Sequence, residues 1–166
     1  MKGFIFWFIK LGKLKIILIF ITAVFFSCLK KSNDKLNFND KPENKLNSLT
    51  EIIIEKSWAQ QPNGYVYPIE IKVPESVEPI EGFPICVLLH GNGSSGRRII
   101  NQSSSVLDDH ILIAPTGYLN SWNICDERSN APDLEMVDEL VNTLSNYSNI
   151  NLNKIRILGS SNGAGL

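Results

Sequence analysis

Three short apolar-rich runs punctuate the second half of the chain: Ile85-Cys86-Val87-Leu88-Leu89, Ile111-Leu112-Ile113-Ala114 and Ile155-Arg156-Ile157-Leu158. Runs of this length, without polar alternation, belong to strands covered on both faces of a parallel sheet. A helix is expected between the first two, from about Gly96 to Leu107. A second helix is expected to start near Pro132, with Asp133 and Glu135 in its first turn. There Leu134, Val137, Val141 and Leu144 recur at three- and four-residue steps and make one apolar stripe. Upstream, Ile52-Ile53-Ile54 and the stretch from Tyr65 to Val73 read as two β-rich strands, with Gln61-Pro62-Asn63-Gly64 as turn chemistry between them. Residues 75–82, with Pro74, Pro79 and Pro84 around them, read as a loop. Strand, helix, strand, helix, strand predicts an α/β fold with a mostly parallel, doubly wound sheet.

The first fifty residues do not share this pattern. Lys2, Lys10, Lys13 and Lys15 precede an uncharged apolar run, Ile16 to Phe26, that ends at Ser27-Cys28. Basic residues, a short apolar core and a small residue read as a secretory signal peptide; eleven apolar residues are too few for a spanning helix unless it also takes in Lys10, Lys13 and Lys15, and a retained anchor helix is the alternative. Phe25-Phe26-Ser27-Cys28 resembles the lipobox of a bacterial lipoprotein, which implies that Cys28 is lipidated and that membrane lipid is a partner. Residues 29–50 are rich in Lys, Asn, Asp and Ser and have no apolar period, as a tether would. The expected organisation is therefore a signal peptide over 1–27, a polar tether over 28–50 and a folded body over 51–166.

Of the 166 residues, 16 are Lys or Arg and 17 are Asp or Glu. This near balance excludes a generic polyanion binder such as a nucleic-acid protein. It conceals an asymmetry: residues 1–50 hold nine Lys against three acids, and the remainder holds seven basic against fourteen acidic residues. The body is acidic and the leader basic. Cys86, inside an apolar run, reads as a small buried hydrophobe rather than half of a disulfide with Cys125.

Two glycine-rich motifs carry the candidate chemistry. The last apolar run leads directly into Gly159-Ser160-Ser161-Asn162-Gly163, a Gly-x-Ser-x-Gly sequence. In a nucleophile elbow the strand turns sharply into a helix with the serine at the apex, and side chains two residues before or after would collide. Ser161 is in register as the nucleophile, and the Asn162 N–H lies where an oxyanion would form. His90-Gly91-Asn92-Gly93 follows the first core run at the same sheet edge, so the Asn92 N–H is the candidate second oxyanion donor, with His90, Gly91 and Gly93 supporting that turn. Gly91-x-Gly93-x-x-Gly96 also spells a dinucleotide fingerprint. However, the following strand ends Ile113-Ala114-Pro115-Thr116, without the acid that holds a ribose. Gly96 is followed by Arg97-Arg98, which excludes a P-loop, and neither His90, His110 nor the cysteines show metal-ligand spacing. No nucleotide, metal or other cofactor is expected. The loop from Gly117 to Asn123 either lines a cleft or uses Trp122 to pack itself onto the sheet.

Ile85 to Gly91, Pro115-Thr116-Gly117 with Ser121-Trp122-Asn123, and Gly159 to Ala164 together resemble the α/β-hydrolase fold. Within it, they look like the exported polyhydroxybutyrate-depolymerase and feruloyl-esterase-like branch, in which the elbow commonly continues Ser-Asn-Gly. The resemblance covers about Ile52 to Leu166. It implies a serine hydrolase that cleaves carboxylic esters through an acyl-enzyme, and a location that is exported or anchored in the cell envelope. The triad order of this fold places the acid and the His after the serine, and Leu166 stands five residues past Ser161. The expected fold is therefore an incomplete α/β-hydrolase fold, ending at the nucleophile elbow and inactive alone. A non-catalytic surface lipoprotein with a hydrolase-like half-domain, and a serine peptidase on the same fold, are the alternatives.

Overall fold

The computed structural model describes residues 43–125 and 129–166. The expected signal peptide, Cys28 and most of the tether lie outside the described residues. Among the described residues six strands and two α-helices follow in the order β1 (Glu55–Trp58), β2 (Gln61–Val66), β3 (Ile69–Lys72), β4 (Phe83–Leu89), α1 (Gly96–Ser103), β5 (Ile111–Pro115), α2 (Asp133–Thr143) and β6 (Ile150–Gly159). β1 and β2 form an antiparallel hairpin, and the main sheet has the order β3-β5-β4-β6. β5, β4 and β6 are mutually parallel, while β3 runs antiparallel at the β5 edge. The expected α/β class, with its mostly parallel sheet, is the one observed.

The first two apolar runs have their predicted cause, whereas the third, Ile155 to Leu158 in β6, lies at the described edge of the sheet with Ile157 and Leu158 half exposed rather than covered on both faces. Along β4, Ile85, Val87 and Leu89 point to one face and Cys86 and Leu88 to the other, and β5 alternates in the same way. The first face is covered by Met136, Val137, Leu140 and Leu144 of α2 and its 3-10 extension. Ile99 and Ile100 of α1 cover the second. A strand enclosed on both sides has no use for polar alternation. Gly96 explains how closely α1 approaches: a Cβ there would sit 2.0 Å from the Ala114 carbonyl oxygen. The third glycine of the apparent dinucleotide fingerprint thus answers to helix–strand packing, and the Gly96 N–H donates to Thr116 Oγ1 at 2.9 Å.

Several boundaries differ from the expected ones. Ile52-Ile53-Ile54 is an extended lead-in rather than a strand. Ile52 and Ile54 are buried and Ile53 is exposed, and the Ile54 carbonyl accepts from the Tyr67 N–H instead of joining a ladder. The hairpin turns at Ala59-Gln60, so Gln61-Pro62-Asn63-Gly64 lies within β2, where Pro62 to Gly64 bulge opposite Ser57 of β1 and Gly64 takes φ +89°. The expected strand from Tyr65 to Val73 breaks at Tyr67-Pro68, since Pro68 has no N–H to donate, and its second part becomes β3. On α2 the buried stripe is Asp133, Met136, Val137 and Leu140, while Leu134 faces solvent.

The described end of the expected tether also belongs to the body. The Asn149 carboxamide accepts from the Leu46 N–H and donates to the Leu46 carbonyl, both at 2.8 Å, and Leu46 is buried in the core. Asn44 accepts from the Ser148 N–H at 2.7 Å. One leucine and two asparagines thus fix a segment whose overall composition is that of a linker. No helix among the described residues is long and apolar enough to cross a membrane.

Candidate active site

β4 and β6 are adjacent and parallel, so the turns that leave their C-terminal ends emerge side by side. After β6 the chain bends at Ser160 and enters a 3-10 turn over Ser161–Ala164. Ser161 is exposed and adopts φ +49°. A left-handed backbone on a serine costs about 1–3 kcal/mol and persists only where its surroundings impose it. Here those surroundings are the two flanking glycines. A Cβ on Gly159 would lie 2.1 Å from the Gly163 carbonyl oxygen, and one on Gly163 would lie 2.4 Å from the Leu89 oxygen and 2.5 Å from the His90 oxygen. The turn therefore closes on itself and against the end of β4, and only glycine fits at both positions. A strained serine at the apex of such a turn, at the C-terminal edge of a mostly parallel sheet, is the nucleophile-elbow geometry. The arrangement is a sharp strand-to-turn elbow on a mostly parallel α/β sheet.

The turn after β4 lies against this elbow, since a methyl on Gly91 would meet Ser161 Cβ at 3.5 Å and the Ser160 carbonyl oxygen at 3.4 Å. The Ser94 N–H donates to the Gly91 carbonyl at 3.1 Å, closing a β-turn with Asn92 and Gly93 at its centre. Gly93 has φ +72° and Asn92 does not have a positive φ, which is the type II pattern that favours glycine at the third position. The Gly93 N–H is used internally, donating to the Asn120 carbonyl at 2.8 Å. Asn92, exposed at the next position toward Ser161, stays as the candidate donor on this turn, and Asn162 follows the serine directly.

The loop after β5 braces both turns. The Trp122 ring is buried, its Nε1–H donates to the His90 carbonyl at 2.7 Å, and it lies 4.8 Å from the His90 ring. Of the two readings of this loop, packing onto the sheet is the one realised by Trp122. The Asn162 side chain completes the brace: Oδ1 accepts from the Trp122 N–H at 2.8 Å, and Nδ2 donates to the Trp122 carbonyl at 3.2 Å. Asn120 contributes from the other side, with Nδ2 donating to the Ser94 carbonyl at 2.7 Å. Leu119 and Asn120 both have positive φ, 54° and 59°, so the loop carries strain next to the turn after β4.

Two buried titratable groups hold the ends of this loop. His90 Nε2 accepts from the Gly117 N–H at 3.1 Å, which places the imidazole proton on Nδ1, bonded to the Gly91 carbonyl at 2.7 Å. Burial pushes its pKa below the ordinary value, against smaller raising effects of the Gly91 carbonyl and of Asp133. Asp133, 1% exposed, accepts from the Asn123 N–H at 2.8 Å and from the Tyr67 hydroxyl at 2.9 Å. Burial raises its pKa, and the two donors and His90 partly offset that effect.

Sequence reasoning placed Ser161, Asn162, Asn92, His90, Gly91, Gly93, Gly159 and Gly163 at one sheet edge, and the structure brings them together there. It missed the side-chain role of Asn162 and the loop-holding roles of Asn120 and Asp133. The available signal for Asp133 was its position in the first turn of α2, which reads equally well as a helix-start residue.

Neither histidine pairs with Ser161. Both His90 ring nitrogens are engaged elsewhere. His110 bonds Asp109 at the start of β5, the opposite sheet edge, about 17 Å away along a five-residue strand. Cys86 is buried and Cys125 exposed, and both are free. Among the described residues no group of three His, Cys, Asp or Glu is arranged to hold a metal.

No protein-family model and no curated protein matches the sequence. Among solved structures the chain is similar to a thermostable esterase, with 23% identity and a TM-score of 0.48 over 69% of this chain. It is also similar to a phospholipase/carboxylesterase from Dyadobacter fermentans, with 23% identity and a TM-score of 0.42 over 73% of this chain. The chain spans 35% of the length of the first and 53% of the second.

Proposed function

We propose that this chain carries the nucleophile and oxyanion hole of a serine hydrolase that cleaves carboxylic esters. The supporting observation is the strained, exposed Ser161 between two glycines that admit no side chain. In this reading the Ser161 hydroxyl attacks the ester carbonyl, and the N–H groups of Asn162 and Asn92 stabilise the oxyanion. Loss of the alcohol leaves an acyl-serine, which water then hydrolyses. The substrate class is a polyester or an aryl or acyl ester, in keeping with the resemblance of Ser121-Trp122-Asn123 and Ser161-Asn162-Gly163 to the depolymerase and feruloyl-esterase-like branch.

In this reading neither His90 nor His110 is the base that takes the serine proton, because both are committed elsewhere. The 166-residue chain is accordingly expected to hydrolyse p-nitrophenyl acetate no faster than its Ser161→Ala variant. Rapid turnover that Ser161→Ala abolishes would overturn this exclusion of the two histidines. The same commitment of both histidines favours a second reading, a surface lipoprotein that keeps the elbow without catalysis.

Export and anchoring through Cys28 belong to the same proposal. The N-terminal peptide of the protein from its own cells is expected to begin at an acylated Cys28, and an unmodified cysteine there would refute the anchor.

A further inference from the structure

We propose that the loop from Gly117 to Asn123 is a proton-released clasp: it is held over the oxyanion turn and elbow while His90 is neutral, and is let go when His90 Nε2 takes a proton. The proposal concerns the loop and stands whether or not Ser161 is a nucleophile.

The geometry fixes the polarity of both imidazole nitrogens. Nδ1–H donates to the Gly91 carbonyl, and Nε2 must accept, because its partner is the Gly117 backbone N–H. A proton arriving on Nε2 from water sets donor against donor in a site where the His90 side chain has no exposed surface. The Gly117 N–H then loses its acceptor, and the imidazolium is left without a partner on that side. Gly117 is packed against the far end of its own loop, where a Cβ on it would lie 2.1 Å from the Ser121 carbonyl oxygen and 2.9 Å from the Trp122 ring, so a shift of Gly117 is passed to Ser121 and Trp122.

What moves with the loop makes this more than a local event. Asn120 holds the Gly93 N–H, Trp122 covers the His90 ring and bonds its carbonyl, and the Trp122 peptide is clamped by Asn162 beside Ser161. Leu119 and Asn120 store left-handed strain that these bonds offset, so the released loop has a reason to relax away from the turn.

The groups around His90 set the sign. Burial lowers its pKa, so the closed clasp is fully stable at and above the ordinary histidine range and loses stability as pH falls below it. Asp133, facing from the start of α2, attracts a charged His90 and opposes release. Asp133 is itself raised by burial, so its own protonation on acidification favours the buried, closed arrangement. Tyr67 bonds Asp133, and Tyr65 and Glu135 stand near that pair; the two tyrosines are held neutral by burial throughout the range concerned. His90 is therefore the end of the clasp that acid opens.

The test is hydrogen exchange by NMR on the full chain in detergent micelles, corrected for the intrinsic pH dependence and read against the histidine ring nitrogens. As His90 protonates, amides 117–123 are expected to lose protection by about ten-fold, the effect of one lost buried acceptor, while Ile85 to Leu89 keep theirs. Asp133→Asn should move the His90 midpoint to lower pH. His90→Gln, which can accept from Gly117 without titrating, should remove the step. Unchanged protection of the loop through the His90 titration overturns the proposal. So does loss of loop and β4 protection together, which would be global unfolding. A midpoint that Asp133→Asn leaves in place or raises contradicts the assigned electrostatics and overturns it equally.

Discussion

Gly163→Ala is expected to destabilise the chain by at least about 3 kcal/mol, at or beyond the upper end of ordinary overpacking. The new Cβ would stand 2.4 Å from the Leu89 carbonyl oxygen, 2.5 Å from that of His90 and 2.7 Å from the Leu89 carbonyl carbon. All three atoms are backbone at the end of β4, so no rotamer change relieves the contact. Either β6 moves away from β4 or the elbow opens. Gly165→Ala, two residues on, is the matched control: its nearest neighbour is a flexible Ile124 side-chain carbon at 3.3 Å, and it is expected to stay within about 0.5 kcal/mol, as surface changes do. Gly93→Ala separates the remaining variable. It has open space but φ +72°, and is expected to cost about 1–2 kcal/mol through backbone strain alone. Urea denaturation followed by circular dichroism orders the three, and equal midpoints for Gly163→Ala and Gly165→Ala would contradict the closed elbow.

Trp122→Ala is expected to cost about 3–5 kcal/mol, the usual range for a large aromatic removed from a core. The ring is 1% exposed, and its Nε1–H is the partner of the His90 carbonyl. Trp122→Phe keeps most of the packing and removes that donor, so about 1–3 kcal/mol should remain as the cost of an unsatisfied buried carbonyl. The two losses can be told apart by where exchange protection falls. Both variants should expose amides near His90 and Asn162, and only the alanine variant should loosen the α2 face of the sheet. A loss under about 1 kcal/mol for Trp122→Ala would mean that the loop is not fastened as described.

Much of this architecture was legible because its causes are local. Ile85 to Leu89 and Ile111 to Ala114 lack alternation since helices cover both faces of β4 and β5, and an unbroken run states that directly. The elbow was legible because the glycines at 159 and 163 report a close approach rather than a preference. Ile52 to Ile54 misled for a related reason: three β-branched residues signal an extended backbone, but extension is not pairing, and a ladder needs a partner that the triplet does not specify. The stripe on α2 was misplaced by choosing Leu134, since one turn of a helix offers two nearly equivalent apolar registers and only the sheet decides between them. The rest depended on partners distant in sequence. Asn149 reaches Leu46 across 103 positions and Asn162 reaches Trp122 across 40. A carboxamide that imitates a strand by bonding both the N–H and the C=O of one residue leaves no periodicity to read. His90 lies in the turn after β4, as its place in the sequence requires, but its fixed tautomer follows from Gly117, whose position only the folded loop defines.

The elbow, the turn after β4 and the brace between them all converge on one side chain. Treating the native polypeptide, isolated from its own cells, with a fluorophosphonate and locating the adduct by peptide mass spectrometry therefore shows whether Ser161 is a nucleophile. A phosphonylated Ser161 is expected, with Ser160 untouched and no label after Ser161→Ala. A native protein that stays unlabelled, or that labels at Ser160, would contradict that role.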